Sequence, residues 1–126
     1  MSFTQLLLDE ISDKRESLSI LVEELRTCDK IYIFGTGLAG KMIYDTLSGL
    51  AINVKAFADN NKSRQRERFC GRNIVAAEKI EQDATVIIAA NVRYGIHEQL
   101  KNNHIDNFYY IDPVYFLSFS DNVRGG

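Results

Sequence analysis

The sequence predicts an α/β fold: a three-layer, Rossmann-like open parallel sheet of about five strands, with an extra N-terminal helix. Short apolar runs rich in strand-forming residues alternate with segments of helical period, a pattern typical of parallel sheets covered by helices. The run Ala84–Ala90 is apolar almost throughout, as expected of a strand buried on both faces. A glycine-rich turn, GTGLAG, directly follows the first apolar run, at Ile31–Phe34.

The size and composition predict one globular domain. The chain has 126 residues, 45% of them hydrophobic and 25% charged, which is ordinary for a soluble domain. Residues 1–28 are assigned to an N-terminal helix packed on the domain, and residues 29–126 to the Rossmann-like domain itself. The net charge of −2 supplies no field that would attract nucleic acid or an anionic membrane.

The first predicted element is a helix from Phe3 to Arg26. Its apolar residues recur mostly three, four and seven positions apart, and charged residues fill much of the other face. The pattern is compatible with a helix that covers the sheet and with a dimerisation helix. It contains fewer than three clean heptads, which favours the first interpretation.

The remaining elements follow in alternation. The predicted strands are Ile31–Phe34, Asn53–Ala58, Asn73–Ala76, Ala84–Ala90 and Phe108–Ile111. The predicted helices are Lys41–Leu50, Ala77–Gln82, Val92–Asn103 and a final turn from Pro113 through Phe119. The arginine-rich segment Lys62–Arg72 is expected to be a surface loop, and the tail from Ser120 is expected to be loose.

The turn Gly35–Gly40 matches the pattern G-x-G-x-x-G. Asp59 lies 19 residues after Gly40 and ends the next predicted strand, so the turn has the companions of a dinucleotide-binding fingerprint. Gly35 would allow a tight turn, Gly37 would let a phosphate approach the backbone, and Gly40 would let the helix pack closely. Asp59 would accept hydrogen bonds from ribose hydroxyls. The alternative is an empty turn that only reverses the chain.

Three further polar residues complete the candidate site. Asn60 is placed beside the ribose or base, and Arg64 near a second phosphate, although a solvated loop arginine remains the alternative. Asn91 follows a buried strand at the predicted carboxyl edge, where it would neighbour a base or cap a helix. The full candidate set is Gly35, Thr36, Gly37, Leu38, Ala39, Gly40, Asp59, Asn60, Arg64 and Asn91.

No catalytic or metal-binding pattern accompanies this turn. Cys28 and Cys70 form no C-x-x-C pair and are interpreted as reduced thiols, while His97 and His104 are interpreted as helix-surface residues. Whether the chain is an enzyme is therefore left open. The sequence shows no apolar run long enough to span a membrane and no secretory signal, so a cytoplasmic location is expected.

The segments IYIFGTGLAGKMIYDTL, INVKAFADNN, CGRNIVAAEKI and ATVIIAA resemble a family of small Rossmann-like domains from bacterial glycan biosynthesis. One such domain is the N-terminal, nucleotide-sugar-binding part of the sugar acetyltransferases of the sialic-acid and bacillosamine pathways. The resemblance implies that Gly35, Gly37 and Asp59 lie at the nucleotide, with Asn60 where those enzymes carry a second acid. Their hexapeptide-repeat domain, which holds the catalytic histidine and the acetyl-CoA site, has no counterpart in this sequence.

Three functions are compatible with the sequence. The first is a module that binds a nucleotide-sugar or an NAD-type dinucleotide, as part or partner of a sugar-modifying transferase. The second is a small NAD(P)-dependent oxidoreductase completed by dimerisation, and the third is a regulatory or dimerisation domain with an empty turn. The first is favoured, because the turn is complete and no catalytic residues accompany it. Asp59 favours a UDP-sugar or NAD over NADP, although the nearby arginines weaken that preference.

Overall fold

The computed structural model describes residues 17–89 and 94–125. The strands are β1 (Ile31–Phe34), β2 (Ala56–Ala58), β3 (Arg68–Phe69), β4 (Arg72–Val75), β5 (Thr85–Ile88) and β6 (Phe108–Tyr110). The helices are α1 (residues 17–26), α2 (Leu38–Gly49), α3 (Tyr94–Asn102) and α4 (Pro113–Gly125), with 3-10 turns at Arg64–Arg66 and Ala77–Lys79. The part of the predicted first helix before residue 17 lies outside the described residues.

The strands form one mixed sheet in the order β3-β4-β2-β1-β5-β6. β1 lies between β2 and β5 and runs parallel to both, with Tyr32 opposite Ala56 and Ile33 opposite Ile87. β4 and β6 continue the parallel arrangement on either side. The predicted α/β class and the mostly parallel sheet are therefore confirmed.

Within the described residues the sheet has six strands, where the sequence predicted about five. The additional strand, β3, pairs antiparallel with β4 inside the segment that was expected to be a surface loop. Cys70 and Gly71 connect the two strands with φ values of 52° and 73°, so both turn residues have positive φ, as in two-residue hairpins. A two-residue strand with a charged, exposed Arg68 carries too little apolar pattern to be recognised from sequence.

Each face of the sheet carries its own hydrophobic cluster. Ile31 and Ile33 of β1 pack in one cluster with buried residues of α1, α2 and α4. Tyr32 and Phe34 point to the opposite face, where the second cluster includes residues of α3 and of the Ala77–Lys79 turn. The alternation follows from the two-residue period of a strand. Both faces are thus covered, and β1 and β5 are buried along their whole length.

The C-terminal helix differs from its prediction. α4 begins at Pro113 as expected, but it continues to Gly125 instead of ending near Phe119. Phe116 is fully buried and Phe119 packs partly against the same cluster. These contacts anchor the helix on the sheet face shared with α2, so the segment from Ser120 extends a docked helix rather than forming a loose tail.

Charged side chains at the amino ends of the strands are paired with one another. Lys30 contacts Asp83 at 2.8 Å, and Glu81 accepts hydrogen bonds from Lys55 at 2.5 Å and from the Tyr32 hydroxyl at 2.8 Å. The hydrogen bonds from Lys55 and then Tyr32 lower the pKa of Glu81 to about 2. Burial and the bond to Glu81 raise the pKa of Tyr32 to about 12.

Candidate functional site

A crevice of about 470 Å³ opens at the carboxyl edge of the sheet. Segments that follow β1, β2, β5 and β6 line it, together with the first turns of α2. The lining residues are Gly35, Thr36, Gly37, Leu38, Ala39, Met42, Asp59, Ala89 and Pro113. The strand order reverses direction between β1 and β5, and ligands of open α/β sheets bind in the crevice at such a reversal.

Two glycines of the turn have structural reasons to lack a side chain. Gly35 has φ of 121°, which L-residues rarely adopt, and its amide donates to the Ala58 carbonyl at 2.8 Å. A Cβ on Gly40 would overlap the Gly35 carbonyl oxygen, and it would lie 3.8 Å from Ile33 Cγ2. These two positions hold the first turn of α2 tightly against the end of β1.

Gly37, by contrast, has no structural reason to lack a side chain. Its φ of −98° is open to any residue, and a Cβ added there would meet no heavy atom within 4 Å. Gly37 is the N-cap of α2, and no side chain caps the helix. The space in front of Gly37 is therefore open crevice, facing the start of a helix.

The first turn of α2 presents backbone amides to that space. The first intrahelical bond is donated by Lys41 to the Gly37 carbonyl at 3.1 Å, so the preceding amides have no acceptor within the helix. No acidic side chain lies in this turn. Within α2 itself, no acidic side chain offsets the partial positive charge of the helix start, an arrangement that favours an anionic group.

Asp59 and Thr36 connect the ends of β2 and β1. The Thr36 hydroxyl donates to Asp59 Oδ2 at 2.5 Å, and the Thr36 amide donates to the same oxygen at 3.2 Å. The Asn61 amide donates to Asp59 Oδ1 at 2.8 Å. The predicted acid therefore lies at the glycine turn, where its carboxylate holds the second residue of the turn.

Arg64 also reaches the turn. Its Nε donates to the Thr36 hydroxyl oxygen at 3.1 Å, and its Nη2 donates to the Thr36 carbonyl at 2.5 Å. A third bond joins Nη1 to Glu67 at 3.2 Å, and the guanidinium lies 5.6 Å from the centre of the Phe69 ring. Arg64 thus brings a cation beside the start of α2 while it bonds mainly to neutral groups.

Asn60 lies on the rim of the site. Its side-chain amide forms two reciprocal hydrogen bonds with Gln99 of α3, at 3.0 and 2.9 Å. This pair connects the loop after β2 to α3, which covers the face of the sheet opposite to α2. Asn91, the last predicted site residue, lies outside the described residues.

Sequence reasoning missed part of this site. Met42 and Pro113 line the crevice, and Gln99 holds Asn60, but none was among the candidates. Pro113 follows a predicted strand, so its position at the carboxyl edge of the sheet could have been predicted from the sequence. Met42 and Gln99 sit inside helical segments, and nothing in their spacing indicates the crevice.

The other candidate reactive groups lie apart from the crevice lining. Cys28 Sγ is 3.5 Å from the Thr85 hydroxyl, and both cysteines are free. His97 Nδ1 lies 3.2 Å from the Tyr110 hydroxyl, with its ring edge-on to Phe108. Over residues 17–89 and 94–125, no group of three acidic, histidine or cysteine side chains is arranged to hold a metal ion. No helix in the same ranges is long and apolar enough to cross a membrane.

The fold and the crevice define a mixed α/β protein with an open, mostly parallel sheet and a glycine turn at its carboxyl edge. Residues 27–110 match the family described as C2185-like, N-terminal. Because the match covers more than half of the chain, the protein belongs to this family. Neither a curated protein nor a solved structure matches the sequence.

Proposed function

We propose that the chain is a Rossmann-like module that binds a nucleotide-sugar or an NAD-type dinucleotide. The order of its parallel strands supports this proposal. Numbered along the chain without β3, the five parallel strands run 3-2-1-4-5, which is the order of the dinucleotide-binding fold up to its fifth strand. Helices on both faces fit its three-layer form.

The open face of Gly37 is the observation that carries the proposal. The backbone at this position accepts any residue and has room for a side chain, yet the sequence leaves it bare. A side chain there would stand between the crevice and the uncapped amides of α2. A phosphate needs that approach, and a turn that only reverses the chain does not.

The wider setting of the proposal comes from the resemblance to domains of bacterial surface-glycan biosynthesis. In that setting, the chain would be part or partner of a sugar-modifying transferase and would work in the cytoplasm, where reduced cysteines are ordinary. The description of the family as an N-terminal domain fits a module that adjoins a further domain. The ligand would carry its phosphate to α2, and its sugar or second nucleotide would extend along the crevice.

Calorimetric titration of the purified protein with UDP-sugars, NAD(H) and NADP(H) tests the proposal. We expect at least one of them to bind with a dissociation constant below about 1 mM, the affinity that a few charge-assisted contacts supply. Failure of every ligand to bind at millimolar concentration would refute it.

A matched pair of variants locates the bound phosphate. Gly37→Asp and Gly37→Asn add side chains of the same size, but only aspartate adds a negative charge beside the amides. We expect Gly37→Asp to weaken binding at least about fivefold more than Gly37→Asn, because the added charge repels phosphate at close range. Equal affinities for the two variants would place the phosphate elsewhere.

A further inference from the structure

Hydrogen bonds from within the protein already occupy most of the acceptor positions of the Asp59 carboxylate. Thr36 donates twice to Oδ2, at 2.5 Å from its hydroxyl and at 3.2 Å from its amide. The Asn61 amide donates to Oδ1 at 2.8 Å. A carboxylate offers about four lone-pair positions, so these three bonds leave about one free.

We propose that the hydrogen-bonded pair of Asp59 and Thr36, here called the latch, positions the glycine turn. Asp59 then does not hydrogen-bond to the ribose hydroxyls of the ligand. This inference rests on the proposed function above. A carboxylate that binds both ribose hydroxyls needs two free acceptor positions, and about one remains on Asp59. The site therefore selects a phosphate-bearing ligand by its phosphate and accepts it with or without ribose hydroxyls.

The surroundings of Thr36 favour a fixed latch over a mobile contact. Thr36 is only 3% exposed, so its polar groups need partners inside the protein. Its hydroxyl donates to Asp59 and accepts from Arg64 Nε, and its carbonyl accepts from Arg64 Nη2. Freeing the Asp59 carboxylate for a ribose would leave the proton of this buried hydroxyl without its acceptor. Thr36 is thus a positioning residue, which acts on the ligand through the shape of the turn.

The same carboxylate also orders the loop that follows β2. The Asn61 amide closes a local turn on Asp59 Oδ1, while Gln65 Nε2 donates to the Asp59 backbone carbonyl at 2.8 Å. Arg64, from the same loop, reaches back to Thr36. The latch therefore joins the end of β1, the end of β2 and the following loop into one hydrogen-bonded unit.

Nucleotides without ribose hydroxyls test the ligand side of the proposal. Calorimetry compares ADP with 2′,3′-dideoxy-ADP, and UDP with 2′,3′-dideoxy-UDP, on the full chain. We expect each pair to bind within about threefold of each other. A loss of more than about tenfold on removal of the hydroxyls, the size expected for lost hydrogen bonds to a charged group, would overturn the proposal.

A double-mutant cycle tests the latch without any ligand. Thr36→Val and Asp59→Ala, alone and together, are compared by urea unfolding, with Thr36→Ser as the variant that keeps the hydroxyl. We expect the fold-change in the unfolding constant of the double variant to differ at least about fivefold from the product of the fold-changes of the two single variants. The unfolding constant of Thr36→Ser should stay close to that of the unsubstituted protein. Single effects that multiply to within about twofold would overturn the latch.

The two experiments separate this inference from the proposed function. Strong coupling in the cycle with no binding of ADP or UDP supports the latch and counts against nucleotide binding. Binding that requires the ribose hydroxyls supports nucleotide binding and overturns the assignment of Asp59.

Discussion

Helices α2 and α4 begin beside the same crevice, and they begin in opposite ways. α4 starts with Asp112 and Pro113, and Asp112 Oδ1 accepts from the amides of Val114 and Tyr115 at 3.0 and 3.1 Å. α2 starts at Gly37, where no side chain caps the first turn. A cap is stabilising and easily encoded, and Asp112 supplies one to α4. The proposed phosphate site rests on the absence of such a cap from α2.

The largest effect that we expect comes from the glycine that lets α2 begin so close to β1. Gly40→Ala should lower the free energy of unfolding by about 3 kcal/mol, because its Cβ would overlap the backbone oxygen of Gly35, which cannot rotate away. Urea unfolding measures the change. Gly95→Ala is the control, since a Cβ on Gly95 of α3 meets nothing within 4 Å. Equal stability of both variants would mean that the start of α2 tolerates displacement.

Removing the cap of α4 is expected to have the next largest effect. Asp112→Ala should lower the free energy of unfolding by about 1 kcal/mol, because two amides lose their acceptor. Asp112→Asn keeps an acceptor oxygen and should recover most of the loss. Nucleotide affinity should stay unchanged in both variants. A loss of affinity in Asp112→Ala would show that the two helix starts are not independent.

Adding a cap to α2 should have a smaller effect of opposite sign. Gly37→Asn and Gly37→Asp should each raise the free energy of unfolding by about 0.5 kcal/mol, since both residues cap helices well and restrict the unfolded chain more than glycine does. Thermal unfolding of the two variants measures the gain. A clear loss of stability in both would mean that Gly37 is required by the fold, and the contrast between α2 and α4 would lose its meaning.

The smallest effect is expected at the amino edge of the sheet, where solvent screens the interactions between the paired charges. The pKa of Glu81 is lowered from 4.5 to about 2, chiefly by its bond with Lys55. A carboxyl with a lowered pKa in the folded state stabilises the fold above pH 4.5, and this contribution fades as the pH falls from about 4.5 to about 2. The melting temperature should decline over that range, and less steeply in Glu81→Gln. Glu78→Gln, at an exposed position, should leave the decline unaltered.

Sequence reasoning was most successful where local chemistry decides the structure. The apolar runs of β1 and β5 reflect burial on both faces, and a glycine turn between a strand and a helix has a recognisable spacing. β3 escaped prediction because a two-residue strand depends on the hairpin through Cys70, which adopts positive φ despite having a side chain. The prediction ended α4 too early, at Phe119, because the segment that follows is mostly polar and contains two glycines, although Ser120 is fully buried in the fold.

The hydrogen bonds inside the site could be predicted less well from the sequence. The sequence predicts that Asp59 faces a ribose and Arg64 a second phosphate, but it does not indicate that both side chains hydrogen-bond to Thr36. Thr36 occupies a variable position of the pattern G-x-G-x-x-G, so the motif says nothing about its side chain. Its role follows from the parallel pairing of β1 with β2, which brings the ends of the two strands together.

The most direct test of the central claim is a nuclear magnetic resonance titration of the ¹⁵N-labelled protein with ADP, UDP and inorganic pyrophosphate. We expect the amide resonances of Leu38, Ala39 and Gly40 to shift on addition of the phosphate-bearing ligands, because the first turn of α2 is open to an anion. The amides of Val114 and Tyr115 should shift little, since Asp112 already binds them. Equal shifts at both helix starts, or shifts confined to α4, would contradict the account.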